Sequence, residues 1–459
     1  MSSLLANLAQ DVRRISPLGI EGRVLEVVGL SIIVEHFPVA VGSRCTVRAR
    51  ATQHEVRCEV VGFRDDRTLL MTLDEMDGVS RGDVVRLTSR RQTIGVGDEM
   101  LGRVINGLGE AIDGRGPIRC TLRRHIEARA LGALSRQRID QPIGTGIRAI
   151  DACMTCGRGQ RVGIFSGAGV GKSVLLGMMA RYTSAAVNVI CLAGERGREV
   201  RDFLERDLGP DGLRKSVVVV STNDEPPLMK IKAGLVAHAL AEHFRDEGRD
   251  VLLVLDSVTR LAMAQRQVGL SAGEPPTTKG YPPSVFSLLP RLLERAGRGA
   301  QGSITGFYTI LVEGDDMSDP VADAVRSILD GHLVLSRRLA NQGHYPAIDV
   351  TQSISRLMTD LVEPKHLEAS RSLVRLLAAY NEVEDLVNIG AYSPGSNPEV
   401  DLAVASRQDV LGFLRQDIQE AVWYDEARSG LDALTRKLEQ SRKTILARRT
   451  AQAAVAAKA

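Results

Sequence analysis

Residues 165–177 read FSGAGVGKSVLLG: the end of an apolar run, three spaced glycines, a Lys-Ser pair and a second apolar stretch. Gly167, Gly169 and Gly171 let backbone N–H groups turn inward around phosphate oxygens. Lys172 is placed to reach the β- and γ-phosphates of ATP, and Ser173 to hold Mg²⁺. A helix starting at this point also turns its positive end toward the anion. The nucleotide-binding loop thus runs Gly167, Ala168, Gly169, Val170, Gly171, Lys172, Ser173, Val174. Ser166 stands where the pattern G-x-x-x-x-G-K-[ST] begins with glycine, and the rest of the motif is intact. Strand before and helix after predict an α/β domain.

The surrounding pattern extends that prediction. From about residue 160, RVGIF, VNVICLAG, SVVVVST, VLLVLD and ITGFYTILV alternate with helical stretches such as LMKIKAGLVAHALAEHF. Nearly continuous apolar strands between amphipathic helices mean a parallel sheet covered on both faces. Residues 22–90 instead hold short β-rich runs split by Gly, Asp and Arg turns, which suggests a small barrel or sandwich. Beyond about 365 the strands stop and helical patterns take over. The expected division is an N-terminal amphipathic segment (1–20), a β-barrel (21–90), a nucleotide-binding domain (91–365) and a helical domain with a basic tail (366–459). A chain of 459 residues has room for roughly three domains.

Two carboxylates stand out in the middle domain. VLLVLDS ends an apolar strand in Asp256, and the carboxyl end of a strand neighbouring the phosphate loop is where a second Mg²⁺ contact belongs. Glu195 follows VNVICLA in GERGREV, again at a strand end, where a carboxylate can polarise an attacking water. By composition alone ERGRE is a solvated charge cluster, and only the loop context favours catalysis. Cys153 and Cys156 form a C-x-x-C with no second pair and no nearby histidine, so they read as small buried hydrophobes.

At the ends, Leu4, Leu5, Leu8, Val12 and Ile15 recur at helical spacing and predict a short helix over 3–15. Its stripe packs on the body of the protein, on a partner helix or on a membrane surface. Residues 428–459 carry eight basic and two acidic side chains and read as a solvated helix fraying into a tail. No stretch approaches ~18 apolar residues, which predicts a soluble cytoplasmic protein.

With these residues in view, LAGERGREVRDFLE, STNDEPPLMK, KGYPPSVFSLLPRLLERAG, GHYPAIDVTQSISR and EDLVNIGAY resemble the ATPases of bacterial type III protein export. That family is related to the catalytic β subunit of rotary ATP synthases, and the likeness covers about residues 20–425. It implies a β-barrel, a RecA-like core and a helical domain assembled as a homohexameric ring, with the flagellar branch expected. It implies Glu195 as the catalytic carboxylate, Asp256 as the Mg²⁺-associated aspartate, and Arg196 and Arg260 at active-site positions. Arg356 in SISR is similar to the arginine finger that enters the neighbouring subunit's site. Tyr345 matches an aromatic that stacks on adenine, and Tyr424 is the candidate for the base's other side. The implied partners are regulatory and stalk proteins, export chaperones and substrates, with peripheral membrane contact through residues 1–20 near the inner-membrane export gate.

Other readings compete. A virulence secretion ATPase shares the catalytic region. A rotary-synthase catalytic subunit would need a second subunit type, whereas Glu195 and Arg356 both occur in this one chain. An RNA helicase ring wants a basic face with interleaved aromatics. A net charge of +3 and 3% aromatics argue against it, so no nucleic acid is expected. A non-catalytic nucleotide-binding scaffold would show no phosphate release.

Overall fold

The computed structural model describes residues 19–312 and 319–456. The helix expected over 3–15 lies outside them. Six strands, β1 (Glu21–Val28), β2 (Ser31–Glu35), β3 (Arg44–Arg48), β4 (Glu55–Arg64), β5 (Arg67–Thr72) and β6 (Val84–Ser89), close into a barrel ordered β1-β2-β5-β4-β3-β6. Alternate side chains fill it: Val24, Ile32, Val34, Val47, Val56, Cys58, Leu70 and Val85 are all buried. Closure settles the choice between barrel and sandwich and leaves no free sheet edge.

Next comes a ribbon of β7 (Thr93–Val96) with β9 (Leu122–His125), enclosing β8 (Arg103–Asn106), which joins the main sheet. The main sheet then takes β10 (Arg161–Ser166), β11 (Val187–Glu195), β12 (Ser216–Thr222), β13 (Asp250–Asp256), β14 (Gly297–Arg298), β15 (Ser303–Leu311), β16 (Gly331–Leu335) and β17 (Ile354–Ser355). Its order is β17-β16-β10-β15-β13-β11-β12-β8, with β14 paired to β15. From β16 to β8 every neighbour pair is parallel.

The unbroken apolar runs of these strands have a simple cause. Val189, Cys191 and Ala193 of β11, and Val217 and Val219 of β12, enter one core, together with Val251, Leu253 and Leu255 of β13. The residues between them, Ile190, Leu192, Val218, Val220, Leu252 and Val254, enter the other. Side chains alternate across the pleat, so a sheet buried on both faces needs apolar residues at every position.

The helices are α1 (Arg148–Cys153), α2 (Lys172–Tyr182), α3 (Gly197–Asp202), α4 (Gly209–Arg214), α5 (Pro227–Asp246), α6 (Val258–Ser271), α7 (Pro283–Leu293), α8 (Pro320–Ile328), α9 (Arg337–Asn341), α10 (Met358–Leu361), α11 (Pro364–Asn388), α12 (Pro398–Leu414) and α13 (Tyr424–Ala456). The core with α5 and α7 also takes Met71 from the barrel's β5 and Leu73 just beyond it. The opposite core takes α2 and the C-terminal helices, including Leu402, Leu431 and Leu438. Cys153 and Cys156 are buried in that second core. Burial pushes the Cys153 thiol up to about 12.

The C-terminal helix differs from its sequence reading. Ala427, Leu431, Leu434 and Leu438 are buried, so its first four turns are a packed element. Solvation begins only after Leu438: of residues 439–450, none is buried.

Candidate active site

The phosphate loop leaves β10 at Ser166 and enters α2 at Lys172. Gly171 caps that helix in the left-handed region, φ +84°, a conformation that side chains with a Cβ rarely adopt. No side chain caps the N-terminus of α2, so its first N–H groups stay available to an anion. Ser173 is exposed on the first turn. Ala168 and Gly169 are exposed at the loop's crest, while Gly167 and Val170 are buried beneath it and Val174 packs partly into the core.

Lys172 reaches across the carboxyl edge of the sheet. Its Nζ bonds Asp256 Oδ1 and lies 3.7 Å from Glu195 Oε1. Asp256 ends β13, and Thr309 of β15 donates its hydroxyl to the same Oδ1 at 2.6 Å. The expected direct adjacency of Asp256 to the loop strand needs correcting: β15 lies between β10 and β13. Lys172 closes the gap because its stem is long enough to cross one strand. Thr309 had no signal in the sequence, since a threonine within ITGFYTILV reads simply as a strand former.

Glu195 ends β11 and is nearly buried, 9% exposed. Burial first, then the neighbouring Asp256 charge, raises its pKa to about 7, while Lys172 and Arg260 pull it down. Arg260 Nε stands 3.5 Å from Glu195 Oε1. The backbone makes room for it: a Cβ on Gly194 would meet Arg260 Cδ at 2.8 Å. A carboxylate titrating near neutrality beside two cations is suited to accepting a proton from water.

The remaining candidates lie outside the cluster of Lys172, Asp256, Glu195 and Arg260. Arg196 caps α3 with its side chain in solvent, 3.6 Å from Glu199. Tyr345 is 46% exposed and stands against the loop, its ring 3.4 Å from where a Cβ on Gly171 would sit. Tyr424 begins α13 and packs toward His366, ring centroids 6.4 Å apart, and Gly144. The contacts described for Tyr424 do not include Tyr345. The segment that does touch Tyr345 is just upstream, where the Gln416 N–H donates to the Tyr345 carbonyl at 3.1 Å. Arg356 follows β17, exposed, with Nη2 3.4 Å from the Arg326 carbonyl and its own N–H on Asp330.

Family comparison agrees with this arrangement along the chain. Residues 24–89 match the ATP synthase alpha/beta family β-barrel domain, 146–355 its nucleotide-binding domain, and 362–433 the type III secretion EscN ATPase C-terminal domain. The chain is 47% identical to the flagellum-specific ATP synthase of Bacillus subtilis over 90% of its length and 95% of that protein's. It is 50% identical to the type 3 secretion system ATPase of Xanthomonas euvesicatoria, over 90% and 94%. Among solved structures, the assembled ATPase EscN of enteropathogenic E. coli superposes with a TM-score of 0.84 at 41% identity, over 90% of this chain and 100% of that one. A phosphate loop, a near-neutral Glu195 and relatives of this likeness over nearly the whole length lead to one identification: the chain belongs to the ATP synthase alpha/beta family, among its flagellum-specific and type III secretion ATPases.

Proposed function

We propose that this chain hydrolyses Mg-ATP within a homohexameric ring and so drives protein export in the flagellar branch of the family. In this reading Lys172 and the loop amides hold the phosphates, and Ser173 and Asp256 hold the magnesium ion. The donor set fits that ion, since a hydroxyl and a carboxylate are hard oxygen ligands. Magnesium would neutralise charge on the transferring phosphoryl group. Glu195 takes the proton of the attacking water, Arg260 orients Glu195, and Tyr345 is the platform for the base.

The position of Arg356 carries the ring. Its N–H bonds Asp330, just before β16 begins, whereas β16 reaches the loop strand's end five residues later, where Leu335 pairs with Ser166. At about 3.3 Å per residue that is roughly 16 Å along the sheet, too far for its guanidinium to serve its own loop. Exposed at the far end, Arg356 is free to complete a neighbour's site. Support for assembly comes from EscN, which was solved assembled and also in complex with its central stalk EscO, at a TM-score of 0.83 to this chain. A stalk protein, chaperones and export substrates are the partners proposed here, and the export gate at the inner membrane is the proposed place of work. Among the described residues no helix is long and apolar enough to cross a membrane.

Mixing two inactive variants, Glu195→Gln and Arg356→Ala, after dissociation and reassembly tests the trans geometry. About one interface in four of a random mixture pairs an intact Glu195 with an intact Arg356, so phosphate release is expected to return. Demonstrated subunit exchange with no recovery at any mixing ratio rejects the finger in trans. Deleting the gene is expected to abolish flagellar filaments, and normal filaments in the deletion strain reject the flagellar assignment.

A further inference from the structure

Gln416 lies in the connection between α12 and α13 and is buried, 6% exposed. Both N–H donors of its side chain are engaged: Nε2 donates to the carbonyls of Gly146 and Glu420, each at 2.8 Å. Its Oε1 accepts the N–H of Arg148 at 2.8 Å. Its own backbone N–H holds the carbonyl of Tyr345 at 3.1 Å.

The same connection is gripped from the nucleotide domain on both sides. Arg148 Nη1 donates to the carbonyls of Phe413 at 3.1 Å and Arg415 at 2.9 Å, and its other nitrogen pairs with Glu420. Arg181 Nη2 donates to the Ile418 carbonyl at 2.7 Å, and Tyr182 follows at 3.4 Å. Arg181 and Tyr182 are the last residues of α2, the helix that starts on the phosphate loop. One buried amide thus joins α1, the C-terminal domain and the backbone of the tyrosine whose ring faces Gly171.

We propose that Gln416 is a positioning residue for the nucleotide base. Locked on α1 and beside the loop helix, the 415–420 connection fixes the carbonyl of Tyr345 and with it the plane of the ring beside the loop. With both donors used by protein carbonyls, Gln416 gives adenine no N–H; its effect passes through Tyr345. The inference rests on the reading of Tyr345 as the base platform.

That role separates the base from the phosphates, and the experiment uses the separation. Binding of MgATP and of magnesium tripolyphosphate, which has no base, is measured by calorimetry on the full-length chain and three variants. Gln416→Ala removes all the side-chain bonds, while Gln416→Glu keeps an acceptor for Arg148 and removes both donors. Each is expected to weaken MgATP by about 5- to 150-fold, the range set by base–aromatic stacking, and to leave tripolyphosphate within about twofold. Tyr345→Ala is expected to show the same selective loss. Equal weakening of both ligands by the Gln416 variants, including through misfolding, overturns the proposal and makes Gln416 a fold clamp. No weakening of either ligand overturns it as well. If Tyr345→Ala leaves the ratio of the two affinities unchanged, the base platform itself is wrong, and the inference falls with it. If Tyr345→Ala shifts the ratio and Gln416→Ala does not, only the inference fails.

Discussion

Glu195 is governed by opposing influences of similar reach. Burial and Asp256 favour its neutral form, while Lys172 and Arg260 favour its charged form, and burial wins, giving a pKa of about 7. A general base must be ionised to work, so kcat/KM is expected to fall on the acid side of about pH 7. Glu195→Gln should bind ATP and hydrolyse it very slowly, and its residual rate should lack that acid limb. A wild-type rate in Glu195→Gln, measured as phosphate release, excludes Glu195 as the base. Stability runs the opposite way. The native state holds a proton that an unfolded glutamate, with a pKa of about 4.3, has already lost. Between about pH 4.3 and 7 the native protein binds more protons, so this group's contribution is full below that window and is lost as pH rises through it. Lys172→Ala should abolish hydrolysis for two reasons: the phosphates lose their cation, and Glu195 and Asp256 are left facing each other with less compensation. The acid limb of any residual activity should then move to higher pH.

At the scale of elements, the two ends of α13 behave as different materials. Leu431 is 1% exposed in the core shared with α1, whereas the described side chains past Leu438 are not buried. Leu431→Ala is expected to cost about 2–5 kcal/mol in chemical denaturation, the usual result of opening a cavity in a packed core. Truncation after residue 446 should shift the same transition by less than about 0.5 kcal/mol and leave phosphate release unchanged. A large shift on truncation shows that the exposed turns are held by contacts beyond the buried stripe. The periodicity from Ala427 to Leu438 was available in the sequence, and the count of basic residues that follows obscured it. Charge density describes the distal turns well and the proximal turns poorly, because a helix can be core at one end and solvated at the other.

For the whole molecule, the attachment of barrel to nucleotide domain depends partly on charge. Lys232 of α5 forms an ion pair with Glu59 of β4 at 2.6 Å, with side chains 3% and 8% exposed. Burial pushes the Glu59 carboxyl up and Lys232 pulls it back down. Lys232→Ala leaves a buried carboxylate uncompensated and is expected to destabilise the protein by about 3–5 kcal/mol. Adding Glu59→Gln should recover much of that loss, because the buried charge is then gone. If the double variant is no more stable than the single one, the pair matters for packing and its charge matters little.

How far the sequence alone reached follows from which interactions are local. Loop, strand and helix were legible because glycine spacing, Lys172 and uninterrupted apolar runs express constraints that act within a few residues. Strand ends also marked Glu195 and Asp256, since carboxyl ends of parallel strands are where such a sheet places its chemistry. Resemblance to a known family then supplied Arg356 and Tyr345, which no local pattern marks. Tertiary structure decided the rest. Inserting β15 between β10 and β13 made Lys172 span a strand and brought Thr309 onto Asp256. Gln416 and Gly146 meet across 270 positions of chain. Hydrogen bonds of that span leave no periodic trace, because their partners are chosen by how sheet and helices pack and not by what stands next to them in the chain.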